Sequence, residues 1–162
     1  MVSEICGFSL TGRSHLRQVY RRRMQQAIDE IVATEKFEII QCCAQMFGYF
    51  RFPSGIPLIT DTHEVEYDLL RRAYEQTKNL FRKLLRYLFY RLARKEEIGL
   101  CEKFDAIIAT TERDREIFRR DLPYKRIVVI QNGVPPRFFE PVQTKLEPRT
   151  MVFVGLMSFY PN

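Results

Sequence analysis

One of only two histidines in the chain, His63, sits in the stretch LITDTHEVEY (58–67), where an apolar, β-branched run gives way to a charged, helix-like pattern. A histidine titrates near neutral pH and can donate to a hydroxyl or a phosphate. At the end of a buried strand it is therefore a candidate for orienting a ligand. Asp61 and Glu64 have a plainer explanation: three apart at a helix start, they form a capping pair, and both suit the positive end of a helix dipole. A second junction, Thr110-Thr111-Glu112-Arg113, has the same character, and Thr111 with Asp114 reads as a helix cap. In open parallel sheets ligands bind outside the carboxyl ends of strands. Thr62, Thr111 and Glu112 therefore join His63 as candidates for lining one crevice.

Other chemistries are excluded by spacing. HEVEY is not HExxH, and the second histidine, His15, falls on an early helix, so no zinc-protease pattern exists. The four cysteines (Cys6, Cys42, Cys43, Cys101) form no CxxC and no Cys/His cluster, so no metal site is expected. There is no GxSxG, no GxxxxGK[ST] and no GxGxxG, so neither a nucleophile elbow nor a glycine-rich phosphate loop is present. No two aspartates stand two apart, which removes the DxD arrangement that holds a metal–nucleotide-sugar complex.

The elements that position these residues follow from periodicity. Leu16, Tyr20, Met24, Ala27, Ile28 and Ile31 recur three or four apart and predict a helix over 14–35. FEIIQCC (37–43) reads as a short buried strand, with Cys42 and Cys43 as small buried side chains, and 44–51 as a helical turn stopped by Pro53 and Gly55. IPLIT (56–60) is a second strand. A helical region runs from Glu64 to about Glu102, with a break at 76–79 where good helix formers are fewer. FDAIIAT (104–110) is a third strand, 112–120 a helix ended by Pro123, RIVVI (126–130) a fourth strand, and TMVFVG (150–155) a fifth. QNGVPP punctuates the chain between the last two. Continuously apolar strands alternating with helices predict an α/β fold, a doubly wound parallel sheet covered by helices. The domains are then 1–131, a linker over 132–149, and 150–162 as the first strand of a further domain.

Charge is concentrated. The net +6 arises from residues 71–95, which hold nine Lys/Arg against one acid, Glu75; the remainder holds 17 basic and 19 acidic residues. That argues for one local interaction surface and against wholesale nucleic-acid binding. In KNLFRKLLRYLFYRLARK (78–95), Phe81, Leu84, Leu85, Leu88 and Leu92 share a face, and Lys78, Arg82, Lys83, Arg86, Arg91, Arg94 and Lys95 occupy much of the rest. Two readings stand. The stripe packs on the sheet as in any surface helix, or the helix lies against anionic lipid or a partner, and the chain is then a non-catalytic α/β module that binds through 78–95. Thiols without pairing patterns suit a cytoplasmic setting. The leader MVSEICGFSLTGRS lacks a signal peptide's apolar core, and no apolar stretch is long enough to span a bilayer.

Taken in order, FEIIQCC, PLITDTHEVEYDLLRR, EKFDAIIATTERDREIF, RIVVIQNGVPPRFFEP and MVFVGLMSFYPN resemble family 4 glycosyltransferases from about residue 14 to the end. The resemblance implies a GT-B architecture, two Rossmann-like domains facing across a cleft, of which this chain holds the N-terminal, acceptor-side domain, incomplete at both ends. It implies transfer of a sugar from a nucleoside-diphosphate sugar to a glycan or lipid-linked acceptor in polysaccharide assembly, with retention and with no metal or other cofactor. His63 then falls where the family places a cleft histidine near the reacting sugar, with Thr62, Thr111 and Glu112 as acceptor-cleft residues. Asn132, Gly133 and Val134 fall on the interdomain hinge, and Gly155 on the glycine near the donor diphosphate. A lipid-linked acceptor implies an enzyme peripheral on the inner face of a membrane. The chain departs from the family pattern at Gln131, where a proline is usual, and at Pro135, where an aspartate is usual. The donor domain's basic ligands and its pair of glutamates with seven residues between them are expected beyond residue 162, so the chain alone is expected to be inactive. Glu30 and Glu38 share that spacing but straddle a helix end and a strand start, which makes the match a coincidence.

Overall fold

The computed structural model describes residues 22–139, 148–152 and 154–155. The chain divides into two compact units, one through Asn132 and one from Gly133. In the first, α1 (Arg22–Thr34) leads to β1 (Ile40–Cys42), a 3-10 turn (Gln45–Tyr49) and β2 (Leu58–Thr62). Then come α2 (Glu66–Glu75), α3 (Leu80–Cys101), β3 (Ala106–Ala109), α4 (Glu112–Asp121) and β4 (Arg126–Val129). The helix expected over 14–35 is seen from Arg22 on; its first turns, with Leu16, Tyr20 and His15, lie outside the described residues, as do Cys6 and 156–162.

The fold is α/β. Four strands form one all-parallel sheet in the order β1-β2-β3-β4. When neighbouring strands follow in one direction, right-handed crossovers carry every connection over the same face. The packing shows this. Val65 and Tyr67 near the start of α2, Ala93 and Cys101 of α3, Phe118 of α4 and Ile107 of β3 form one buried cluster, with Ile127 of β4 against it. Register puts Leu58, Thr60 and Thr62 of β2 in line with Ile107 and Ala109 of β3 on that covered face, and all five are buried. The alternate residues Ile59, Asp61, Ala106 and Ile108 are half-buried, and Arg126 and Val128 are exposed. A smaller cluster of Cys42, Leu58 and Phe104, with Ile40, Phe47 and Phe52, closes the β1 side.

The strand starts are pinned reciprocally: Leu58 N–H donates to Asp105 Oδ2 and Asp105 N–H to Leu58 O, both at 2.7 Å. The 3-10 turn approaches α3 so closely that a Cβ on Gly48 would sit 3.1 Å from the Leu100 carbonyl, which selects glycine there. Gln25 of α1 is buried and forms a two-way amide bridge with the backbone of Arg51, donating to its carbonyl at 2.9 Å and accepting its N–H at 2.8 Å.

Three sequence expectations are corrected. Asp61 is not a helix cap. β2 runs on to Thr62, Asp61 pairs with Ile108, and α2 opens only at Glu66 behind Val65. Cys43 is exposed, because β1 ends at Cys42 and releases the next residue from the sheet. The described residues of 150–155 form no strand, and Met151, Val152 and Val154 are exposed. A strand needs a hydrogen-bonded neighbour, and none pairs with them among the described residues. By contrast, the long helical region does break at 76–79, where Asn79 caps α3 by accepting from Arg82 N–H. The second unit contains a 3-10 turn, Pro136–Phe139.

Candidate functional site

The carboxyl edge of the sheet gathers the polar residues that the sequence singled out. Thr62 of β2 stands beside Ala109 of β3, and Ala109 beside Val129 of β4. The residues that follow, His63 and Thr110, therefore emerge side by side. Thr110 Oγ1 donates to the His63 carbonyl at 3.2 Å, locking the two loops together, while the His63 imidazole remains exposed. Thr111 next to them caps α4: its hydroxyl oxygen accepts from Asp114 N–H at 3.1 Å and its O–H donates to Asp114 Oδ2 at 2.7 Å. Glu112 is exposed and pairs with Arg115 at 2.7 Å.

Thr62 does not belong to this exposed set. It is fully buried on the covered face, and its hydroxyl donates to the Ile108 carbonyl at 3.3 Å. The alternation of β2 turns its side chain under the helices, so it supports the edge and cannot meet a ligand there.

Two helices begin at this edge, and the start of a helix ordinarily attracts anions. Here both starts are already occupied. Each carries two acids in its first turn, Glu66 and Asp68 in α2, Glu112 and Asp114 in α4. The first two N–H groups of α2 point to Glu97, which reaches over from α3: Tyr67 N–H to Oε2 at 2.9 Å and Glu66 N–H to Oε1 at 3.2 Å. The next two, Asp68 and Leu69, donate to the Val65 carbonyl. The edge thus presents an imidazole and hydroxyls, groups suited to a polyhydroxylated ligand, with the helix-start N–H groups already taken.

Behind the edge lie charged residues that sequence spacing did not reveal. Glu97 has no exposed surface and also accepts from Gln45 Nε2 at 3.1 Å. Burial, with the neighbouring Glu66 charge adding to it, pushes its carboxyl up to about 8, against the lowering effect of its hydrogen bonds. Asp68 is buried among Arg71, Arg72 and Arg113. Burial works to raise its carboxyl, but the bonds and charges of Arg113 and Arg71 outweigh it and hold it below the usual range. Asp121 binds Arg94 and accepts from the Tyr67 hydroxyl at 2.7 Å; burial and then this carboxylate raise the Tyr67 phenol. All three carboxylates tie separate helices together: α3 to α2, α2 to α4, and α4 to α3. No signal within a short window could show this, because the partners stand roughly 30 to 50 residues apart. Three buried side-chain atoms, Asp61 Oδ1, Glu96 Oε2 and Arg115 Nε, find no hydrogen-bond partner among the described residues, and the first of them lies at the sheet edge. Cys42 beside Asp61 is pushed up to about 11 by burial first and the Cys43 and Asp61 charges next. Among the described residues no group of three His, Cys, Asp or Glu is placed to hold a metal ion.

The basic helix has two faces. The inner one meets α2 and the core: the Tyr87 ring lies tilted against Tyr74 with centroids 5.4 Å apart, Lys83 lies over the Tyr74 ring, and Arg86 donates to the Ala73 carbonyl and Thr77 Oγ1. The outer one is an unpacked apolar row. Phe81, Leu84, Leu88 and Leu92, with Leu80 at the helix start, keep between 48% and 83% of their surface exposed. Leu85, grouped with this stripe in the sequence, is half-buried. Lys78, Arg91 and Lys95 stand three or four residues from members of the row and are exposed. Arg94 is corrected: it turns inward, half-buried, onto Asp121, and offers no free charge outside. Among the described residues no helix is long and apolar enough to cross a membrane.

Asn132, Gly133 and Val134 are exposed and irregular, and Gly155 lies in a bend.

An all-parallel α/β unit with its polar loops gathered at the carboxyl strand edge is Rossmann-like, and that edge is where open parallel sheets take their ligands. The family model for Glycosyltransferase Family 4 matches residues 6–138, and the chain belongs to that family. No curated protein and no solved structure matches it.

Proposed function

We propose that this unit forms the acceptor side of a glycosyltransferase. The enzyme moves a sugar from a nucleoside-diphosphate sugar to a glycan or lipid-linked acceptor in polysaccharide assembly, with retention and without a metal. The observation that carries the reading is the exposed His63 imidazole at the carboxyl edge, its loop fixed by Thr110. The N–H groups that open the two helices are already taken by Glu97, the Val65 carbonyl and the Thr111 hydroxyl, which favours the uncharged acceptor over the donor diphosphate at this edge. In this reading His63 hydrogen-bonds a hydroxyl beside the reacting carbon, with Thr111 and Glu112 bordering the acceptor. Asn132, Gly133 and Val134 form a hinge, and Gly155 lies near the donor diphosphate. The test is transfer of labelled sugar from UDP-, GDP- and ADP-sugars to octyl glycosides, measured on a polypeptide that joins residues 1–162 to a donor-side domain. Removing a hydrogen bond that strengthens in the transition state costs about 100-fold in rate. His63→Ala should lose that much, and unchanged transfer would overturn the role.

A second reading concerns where the enzyme works, and the exposed row on α3 favours it. An apolar stripe flanked by cations suits an anionic bilayer surface, with Phe81, Leu84, Leu88 and Leu92 entering the boundary and Lys78, Arg91 and Lys95 reaching headgroups. Such a site places a lipid-linked acceptor within reach at the inner face of the membrane. Each cation near the surface contributes about 1 kcal/mol, so replacing those three by glutamine should weaken binding to phosphatidylglycerol vesicles by about 100-fold. Equal sedimentation with anionic and neutral vesicles would rule this reading out.

A further inference from the structure

We propose that Glu97 is the positioning residue of the carboxyl-edge site, holding the His63 loop from below through the start of α2. The inference rests on the reading of His63 given above.

The geometry carries it. Val65, which precedes α2, makes no side-chain cap. An uncapped helix start leaves N–H groups unsatisfied and frays. Here the cap is delivered from another helix. The two Glu97 oxygens take the Glu66 and Tyr67 N–H groups, and Oε1 also receives the amide of Gln45 from the turn after β1. One buried carboxyl therefore joins three elements beneath the loop 63–65. That loop is short: β2 ends at Thr62 and α2 begins at Glu66. Its upper end is fixed by the Thr110 bond to the His63 carbonyl, and its lower end by Glu97. Loosening the lower end leaves the loop held by β2, the Thr110 bond and the packing of Val65, without the hydrogen bonds that fix where α2 begins.

The surroundings make this cap responsive. Glu66 and the Tyr67 phenol face it from α2, and Cys101 from its own helix; none brings a positive charge. The 3-10 turn contributes the neutral Gln45. Burial leaves the carboxyl titrating at about 8, so its protonation changes in the neutral to mildly alkaline range.

The test is the pH dependence of backbone amide NMR signals in the whole chain. In the wild type, Glu66, Tyr67 and His63 amides should shift together with one midpoint at about 8. Glu97→Gln cannot titrate and should abolish that step at all three, with amide exchange at Glu66 and Tyr67 at least tenfold faster. Glu97→Asp, which ionises but is shorter, should restore a step. A step at Glu66 and Tyr67 that His63 does not follow would show a purely structural cap and overturn the proposal, as would no step at all. If Glu97→Gln does not fold, the wild-type titration decides alone. These signals need no sugar, so failure here is distinct from failure of His63→Ala to affect transfer.

Discussion

Raising the pH should weaken this fold, and replacing Glu97 by glutamine should reverse the trend. The carboxyl ordinarily titrates at 4.5 and is raised to about 8 in the folded chain. Between those values the folded state holds a proton that the unfolded state has lost. Stability is therefore fully present below about 4.5, falls as pH rises toward 8, and is level above. At about 1.4 kcal/mol per unit, the shift amounts to about 5 kcal/mol across the window, with about 3 kcal/mol of it lost by pH 7. That is a large part of the 5–15 kcal/mol typical of a domain. Glu97→Gln is immune to this loss but turns an amide group toward backbone donors and the Gln45 amide, which costs about 1–3 kcal/mol. The two effects have opposite pH dependence, so the stability curves should cross. Urea unfolding followed by circular dichroism should find the variant less stable than wild type at about pH 5 and more stable at about pH 9. Parallel curves would refute the reasoning, since they would mean that Glu97 does not hold its proton through folding.

Asp68 should act with the opposite sign: its carboxyl is held low by Arg113 and Arg71, so its contribution is present above the ordinary aspartate range and is lost as pH falls through it. Asp68→Asn should flatten the acid limb of the stability curve below the ordinary aspartate range, measured by urea unfolding. Phe118, fully buried between α4 and the sheet, should cost about 3–5 kcal/mol on replacement by alanine. Thr111→Ala removes the α4 cap and should cost about 1 kcal/mol, read from the same melts. Leu84→Asp and Leu88→Asp should change stability by less than about 0.5 kcal/mol, because both side chains are already exposed, yet abolish vesicle binding. A large loss of stability would show that the row is packed in solution.

The parts of the fold that sequence made legible are those set by near neighbours. FDAIIAT and RIVVI announce strands by apolar content alone. The break before α3 and the Thr111–Asp114 cap follow from residue types within four positions. What depends on distant partners was hidden. Asp61 and Glu64 have the spacing of a cap, but parallel pairing with β3 extends β2 past Asp61 and delays the helix to Glu66. The true cap, Glu97, looks in sequence like one more acid at the end of a charged helix. The stripe on α3 was visible as periodicity, but which way it faces depends on α2 taking the opposite side. Arg94 looked equivalent to Arg91 until Asp121 of α4 drew it inward. His63 stands out in the sequence as a histidine at a strand end, and in the structure it is exposed there.

In the reading proposed above, the carboxyl edge around His63 receives a sugar acceptor. Titrating the isotope-labelled chain with octyl glycosides, and following backbone and imidazole NMR signals, tests it most directly. Saturable shifts are expected at His63, Thr110, Thr111 and Glu112, and they should disappear in His63→Ala. Shifts confined to residues 78–95, or none at His63 at saturating glycoside, would contradict it.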